Sequence, residues 1–303
     1  MDALGLVSLP ALLARSSGTP AVTIGLIDGP VAVEHPDLEG IRFREIAGRS
    51  RIACTTTTRE ACVHGTFVAG ILCARRGSPA PAICPDCTFL LRPVFAETAA
   101  GSGHLPSTTP QELAAAITDC VDSGSRIINL SLALSGSSGH GERAVGEALE
   151  SAARRGVIVV AAAGNQGLIG SSVITRHPSV VPVVACDLEG RPIDQSTLAG
   201  SIGRRGLRAP GKTITSLRAE GGTLTLDGSS VAAPFVTGAI ALLWSLLPMA
   251  SAAQIRFAVS QATAPRRVSV LPPLLDATAA FRTLSMMTSV ELKDGQAYTH
   301  RFG

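Results

Sequence analysis

The sequence predicts an α/β protein in three layers, a mainly parallel central sheet with helices on both faces. Short apolar runs alternate with stretches of helical spacing along most of the chain, which is the pattern of successive βαβ units. A composition of 46% hydrophobic and 16% charged residues fits a large buried core and excludes a disordered chain. Aromatic residues make up only 3%, so Ala, Val, Ile and Leu must build that core from closely packed strands and small-residue helices. No repeat or long linker divides the 303 residues. Residues 1–285 are therefore expected to form one domain, with 286–303 as a polar tail.

Each element follows from local signals. Residues 21–27 form a buried-strand run that ends at Asp28. Residues 64–73 read as a helix and 88–94 as the next strand. Residues 111–123 have helical spacing and lead into a strand at 126–132. A second helix at 142–155 stops at Gly156, and strands follow at 157–163 and 180–186. Residues 221–226 read as a hairpin arm leading into a small-residue helix at Ser230, and 251–262 as a further helix. Beyond Pro265 the periodicity weakens, and Pro272-Pro273 breaks what remains.

Three of these element ends carry chemistry. LIDGPV places Asp28 after the first strand, VHGTFVAGI places His64 at a helix start, and DGSSVAAPFVTG places Ser230 at another. Asp, then His, then Ser is one of the chain orders of a nucleophilic triad. A serine hydroxyl is a poor nucleophile at neutral pH and needs a base within hydrogen-bond reach. A buried carboxylate holds that base in one tautomer. Ser230 would attack, His64 would take and return the proton, and Asp28 would orient the imidazole. Taken alone, Asp28 is a turn residue, His64 a core or capping histidine, and Ser230 an N-cap with Ser229 as its rival. Their joint order outweighs those readings. Asn165, in AAAGNQG, adds a side-chain amide for the oxyanion of acyl transfer, with the Ser230 N–H as second donor.

With these blocks in place, the chain resembles the subtilisin-like serine proteases, from about residue 9 to about residue 280. The resemblance implies the subtilisin-like three-layer fold and a serine endopeptidase. It also implies that Ser131, Leu132 and Ala133 on one side, and Ala161, Ala162, Ala163 and Gly164 on the other, flank the primary substrate pocket. DGPV, with LPALL before it and CTFLLRPVF after the His64 helix, is similar to a narrower branch, the PatA/PatG-type proteases that mature cyanobactins and related ribosomal peptides. The implied partner is a precursor peptide from which leader or recognition segments are removed. The chain departs from the family pattern at several places. Phe67 and Phe235 stand where histidines are common, Ser229 and Val231 replace Thr and Met, and Ala133 and Leu134 replace a Gly-Gly pair. A transpeptidase or macrocyclase of the same family is the alternative activity. The 36 positions from Asp28 to His64 (64 − 28) leave no room for a water-excluding helical cap, which favours hydrolysis. A leader-binding pseudoprotease would be expected to have lost one of the four residues.

Other classes find little support. A net charge of +3, without RNP, zinc-finger or P-loop strings, argues against nucleic acid. Residues 232–250 are long enough to span a membrane but hold Pro234, Thr237 and Gly238, and read as a buried core helix. No cofactor or metal is expected. Cys84 and Cys87 have ligand spacing but no second pair, and residues 74–83 lack the oxygen ligands that calcium requires. Cys54 and Cys62 bracket a Thr-rich loop ahead of His64 and are either bridged or free. The N-terminus is apolar without a basic start, so the chain is expected in the bacterial cytoplasm or has already been trimmed.

Overall fold

The computed structural model describes residues 2–46, 54, 60–95, 108–132, 139–261 and 269–299. Two helical turns, α1 (Ala3–Leu6) and α2 (Pro10–Leu13), precede β1 (Thr23–Asp28). After a 3₁₀ turn at Pro36–Leu38 come β2 (Arg42–Glu45), α3 (Glu60–Cys73), β3 (Thr88–Pro93), α4 (Pro110–Asp122), β4 (Ile127–Leu130), α5 (Gly139–Arg154) and β5 (Ile158–Ala162). The chain continues through α6 (Val173–Arg176), β6 (Val180–Cys186), α7 (Gly200–Arg205) and β7 (Leu207–Pro210). It closes with β8 (Ile214–Leu217), β9 (Thr223–Leu226), α8 (Ser229–Leu246), α9 (Ala252–Gln261) and α10 (Ala277–Thr299).

Seven strands form one parallel sheet in the order β2-β3-β1-β4-β5-β6-β7, and β8 and β9 pair antiparallel beside it. Alternation along the strands divides the core. Ile24, Leu26, Ile127, Ile158 and Val160 face one cluster with α3 and α8, whereas Ile27, Ile128, Leu130, Val159 and Ala161 face a second with α4 and α5. These are the expected three layers. Connections run outward in opposite directions from β1 and β4, so a crevice opens at their C-terminal ends, where such folds place their sites.

The two strands of the seven-stranded sheet that the sequence pattern missed are its edges. β2 reads RFRE and is largely exposed, and β7 carries Arg208 and ends on Pro210, so neither shows an apolar run. Helix α8 is apolar on all sides because it is buried on all sides, between the sheet and α3 and α9, as the core-helix reading required. Phe67 and Phe235 are fully buried in the same layer.

The C-terminal region holds a helix that the sequence pattern did not show. α10 is a helix of 23 residues that runs across position 285. Its first turns are anchored by buried Ala277, Ala280 and Leu284, by the Ala277 N–H donating to the Val7 carbonyl, and by Arg15 over the Phe281 ring at 4.4 Å. These partners are N-terminal residues far away in sequence, and the Pro272-Pro273 break lies before the helix begins.

Candidate active site

The Asp28 arm is set by strand geometry and by two glycines. Asp28 is the last residue of β1, 1% exposed, and its Oδ1 accepts from the Gly29 N–H at 2.6 Å. His64 lies in the second turn of α3, which begins at Glu60, and not at the helix start that the sequence suggested. Its Nδ1 meets Asp28 Oδ1 at 2.6 Å. That contact requires backbone to approach backbone. A Cβ on Gly29 would lie 1.9 Å from the Ala61 carbonyl oxygen, and one on Gly65 2.4 Å from that of Gly29, so only glycine fits either place. A Cys54–Cys62 disulfide resolves the alternative that the sequence left open, and it ties the segment before α3 to the helix's first turn. The His64 side chain remains 26% exposed. Burial pushes its pKa down, but the charge and hydrogen bond of Asp28 outweigh this and hold it above the usual imidazole value.

The Ser230 arm stands beside it. On β4, Asn129 pairs with Leu26 of β1 and Leu130 with Ile27, so Ser131 follows at the height of Asp28. The Ser131 hydroxyl donates to the Ser230 carbonyl at 2.9 Å. Ser230 is thereby held in the first turn of α8, and α8 packs against α3. The N–H groups of Val231 and Ala232 go to the Gly228 carbonyl, and that of Ser229 goes to Asn165 Oδ1 at 2.8 Å. The Ser230 N–H meets no such acceptor among the described residues and lies at the positive end of a long helix.

Ser229 is the residue whose role sequence reasoning missed. Its hydroxyl donates to Asn165 Oδ1 at 2.9 Å and accepts from the Gly164 N–H at 3.1 Å. Because an N–H and an O–H both converge on that atom, it must be the amide oxygen, which leaves the Asn165 NH₂ as the donor for an oxyanion. The strand end is clamped further by the Thr197 N–H to the Gly164 carbonyl at 3.0 Å and by the Thr197 hydroxyl to Gln166 Oε1 at 2.9 Å. The Ser-Ser pair at 229–230 was the available signal, but its two hydroxyls become distinct only once Asn165 is in place.

Of the residues expected to flank the pocket, Ala161 and Ala162 end β5, Ala163 and Gly164 follow it, all four are buried, and Ser131 and Leu132 follow β4. Ala133 and Leu134 lie outside the described residues. Cys73, Cys84, Cys87, Cys120 and Cys186 are free and buried, and burial pushes the Cys120 and Cys186 thiols up to about 12. Within residues 74–83, the Arg76 guanidinium donates to the carbonyls of Leu13, Ser16 and Ile83 at 2.7, 2.9 and 3.1 Å. Among the described residues no three His, Cys, Asp or Glu side chains cluster as metal ligands.

An aspartate-oriented histidine, a serine on a helix start and an anchored amide donor at the end of a parallel sheet define a serine hydrolase of the subtilisin type. Residues 19–280 match the model of the subtilase family, Peptidase S8, and the chain belongs to that family. It is 30% identical over 240 residues to Subtilisin DY of Bacillus licheniformis, covering 78% of this chain and 81% of that one. It spans 61% of the length of a subtilisin from Bacillus sp. strain TA39, at 28% identity. Among solved structures, it is similar to the prenylagaramide maturation protease PagA and to an alanine mutant of the PatA protease domain. Both have a TM-score of 0.79 and 28% identity, covering 91% and 89% of this chain and 98% and 97% of theirs. The PatG macrocyclase domain, with a TM-score of 0.78 and 21% identity, shares the fold. The chain is a subtilisin-like serine endopeptidase.

Proposed function

We propose that Ser230 attacks the carbonyl of a peptide bond within a ribosomally made precursor peptide, releasing a leader or recognition segment through an acyl-enzyme. His64 takes the Ser230 proton and returns it to the leaving amine. Asp28 holds the Nδ1–H and stabilises the imidazolium, and the Ser230 N–H and the Asn165 NH₂ receive the oxyanion. Water then enters, is deprotonated by His64, and releases the acid. The observation that carries the assignment is the 2.6 Å Asp28–His64 contact at the sheet end where Ser131 holds Ser230. The precursor substrate is supported by the likeness to PagA and PatA, a maturation protease and a related protease domain.

Macrocyclisation is the second reading, supported by the shared fold of PatG. Part of the Asp28-to-His64 segment is taken up by β2 at the sheet edge, which favours hydrolysis. A cytoplasmic location belongs to the same proposal. The Cys54–Cys62 bridge weighs against it, because reducing compartments keep most such pairs as thiols. Fluorophosphonate labelling with mass mapping tests the nucleophile: the adduct should fall on Ser230 and vanish in Ser230→Ala. Precursor digestion should give linear acids that have gained one water. Dominant cyclic product from the purified enzyme would overturn hydrolysis in favour of the second reading.

A further inference from the structure

The sheet face beneath α8 is apolar except along β4. There Asn129 and Ser131 point to the same side as Ile127, and both are buried, at 0% and 3% exposed. Buried polar groups persist only when hydrogen-bonded, and these form a chain. The Thr237 hydroxyl, 0% exposed on α8, donates to Asn129 Oδ1 at 2.8 Å. Asn129 Nδ2 donates to Ser131 Oγ at 2.7 Å, and Ser131 Oγ donates to the Ser230 carbonyl at 2.9 Å. Every link has the same donor direction, so each bond polarises the next.

The last acceptor explains why such a chain has a task. In an α-helix the Ser230 carbonyl would accept from the N–H four residues on. That residue is Pro234, which has no N–H and whose ring crowds the same carbonyl. The nucleophile's own peptide group is therefore released from the helix ladder where its orientation matters most. The peptide that carries this carbonyl also fixes the Ser230 Cα and, through it, the direction of Oγ and of the N–H that meets the oxyanion. Ser131 supplies the missing donor. Asn129 removes the freedom of the Ser131 hydroxyl, and Thr237 returns the chain to α8 two turns below Ser230. The loop closes from helix to strand to helix.

We propose that Thr237, Asn129 and Ser131 are positioning residues for acyl transfer, a buried relay that holds the Ser230 carbonyl in place of the helical bond Pro234 cannot make. The proposal rests on Ser230 being the nucleophile. It extends the role of Ser131 from the substrate cleft to the nucleophile's backbone, and gives roles to two residues that no motif marks.

Thr237→Val keeps the shape of the side chain and removes only the hydroxyl, whereas Thr237→Ser keeps the hydroxyl. In the full-length enzyme, Thr237→Val should lower the second-order rate of fluorophosphonate labelling and kcat on a peptide amide by about tenfold, equivalent to ~1.4 kcal/mol of barrier. KM should change by less than about twofold, as for an interaction that acts on the chemical step. Thr237→Ser should label within about twofold of the parent. Ser131→Ala should show the same kcat-specific loss, and the double variant Ser131→Ala/Thr237→Val should be no slower than the slower single variant, because both break one chain. Parent-like labelling by Thr237→Val, equal loss in Thr237→Ser, or multiplying losses in the double variant would each overturn the relay. If Thr237→Val does not fold, parent-like labelling by Ser131→Ala overturns it instead. Failure of the underlying nucleophile assignment looks different: the parent enzyme itself would carry its adduct elsewhere.

Discussion

The two arms of the site are built from different materials. The Asp28–His64 arm depends on backbone packing: β1 ends against the first turns of α3, with Gly29 and Gly65 as the only residues small enough to let them touch. The Ser230–Asn165 arm depends on side-chain hydrogen bonds, with Ser229 anchoring the amide oxygen and Ser131 the nucleophile's carbonyl. Close packing is unforgiving, because an added methyl group has nowhere to go. A hydrogen-bonded arm is redundant, because Asn165 Oδ1 keeps one donor when it loses the other. The first arm should therefore fail abruptly and the second by degrees.

Gly29→Ala is the most severe way to break that contrast. It places a carbon where the Ala61 carbonyl stands, and should abolish labelling of Ser230 with loss of the folded state or of the Asp28–His64 contact. Circular dichroism with probe labelling is the check, and a folded, fully active Gly29→Ala enzyme would refute the packing account.

Asp28→Asn comes next, since it keeps the shape but presents the wrong partner to Nδ1. Loss of about 10⁴-fold in kcat is expected, the scale of the same exchange in other Ser-His-Asp proteases. The pH profile sharpens this result. His64 works as a base only when neutral, and Asp28 raises its pKa, so the acid limb of kcat/KM in the parent should lie above the usual imidazole value. In Asp28→Asn only burial remains, and the residual activity should extend to lower pH. The linkage to stability has the matching sign: a raised folded-state pKa stabilises the fold below the unfolded value, and that contribution fades as pH rises through the folded value. An acid limb that does not move in the variant would remove Asp28 from control of His64.

On the second arm, Asn165→Ala deletes an oxyanion donor. A loss of about 10²–10³ in kcat, roughly 2.7–4 kcal/mol, is expected with little change in KM; this range was measured on subtilisin, the family's own type enzyme. Ser229→Ala should be milder, about tenfold in kcat, because its backbone N–H still holds Asn165 Oδ1. Steady-state kinetics on one peptide amide ranks all of these variants. A Ser229→Ala loss as large as that of Asn165→Ala would show that the amide has no second anchor and that the arms are equally brittle.

Much of the site could be read from the sequence because its reactive groups sit in local strings: DGP after a strand, HGT on a helix, AAAGN at a strand end, SSVAAP at a helix start. The central strands were legible for the same reason, since apolar runs covered on both faces identify themselves. The edge strands β2 and β7 were not, because charged residues interrupt both: Arg42, Arg44 and Glu45 in the largely exposed β2, and Arg208 in the mostly buried β7. Helix α10 was missed because its anchors, Val7 and Arg15, lie at the other end of the chain.

The sequence by itself determined the α/β class and the order of the central strands along the chain, and it singled out Asp28, His64, Asn165 and Ser230 as the candidate site residues. Each of these is written in a few adjacent residues through period, turn chemistry and residue type. Only the tertiary structure decided which of Ser229 and Ser230 faces Asn165 Oδ1, how closely α3 approaches β1, and that Thr237, Asn129 and Ser131 form one chain ending on the Ser230 carbonyl. Apart from Asn129 and Ser131, which are neighbours on one strand, those partners are separated by between 36 and 108 residues, and no local propensity encodes a contact of that range. It arises only when the sheet fixes the register of β4 against β1 and the apolar faces of α3 and α8 are driven together over it.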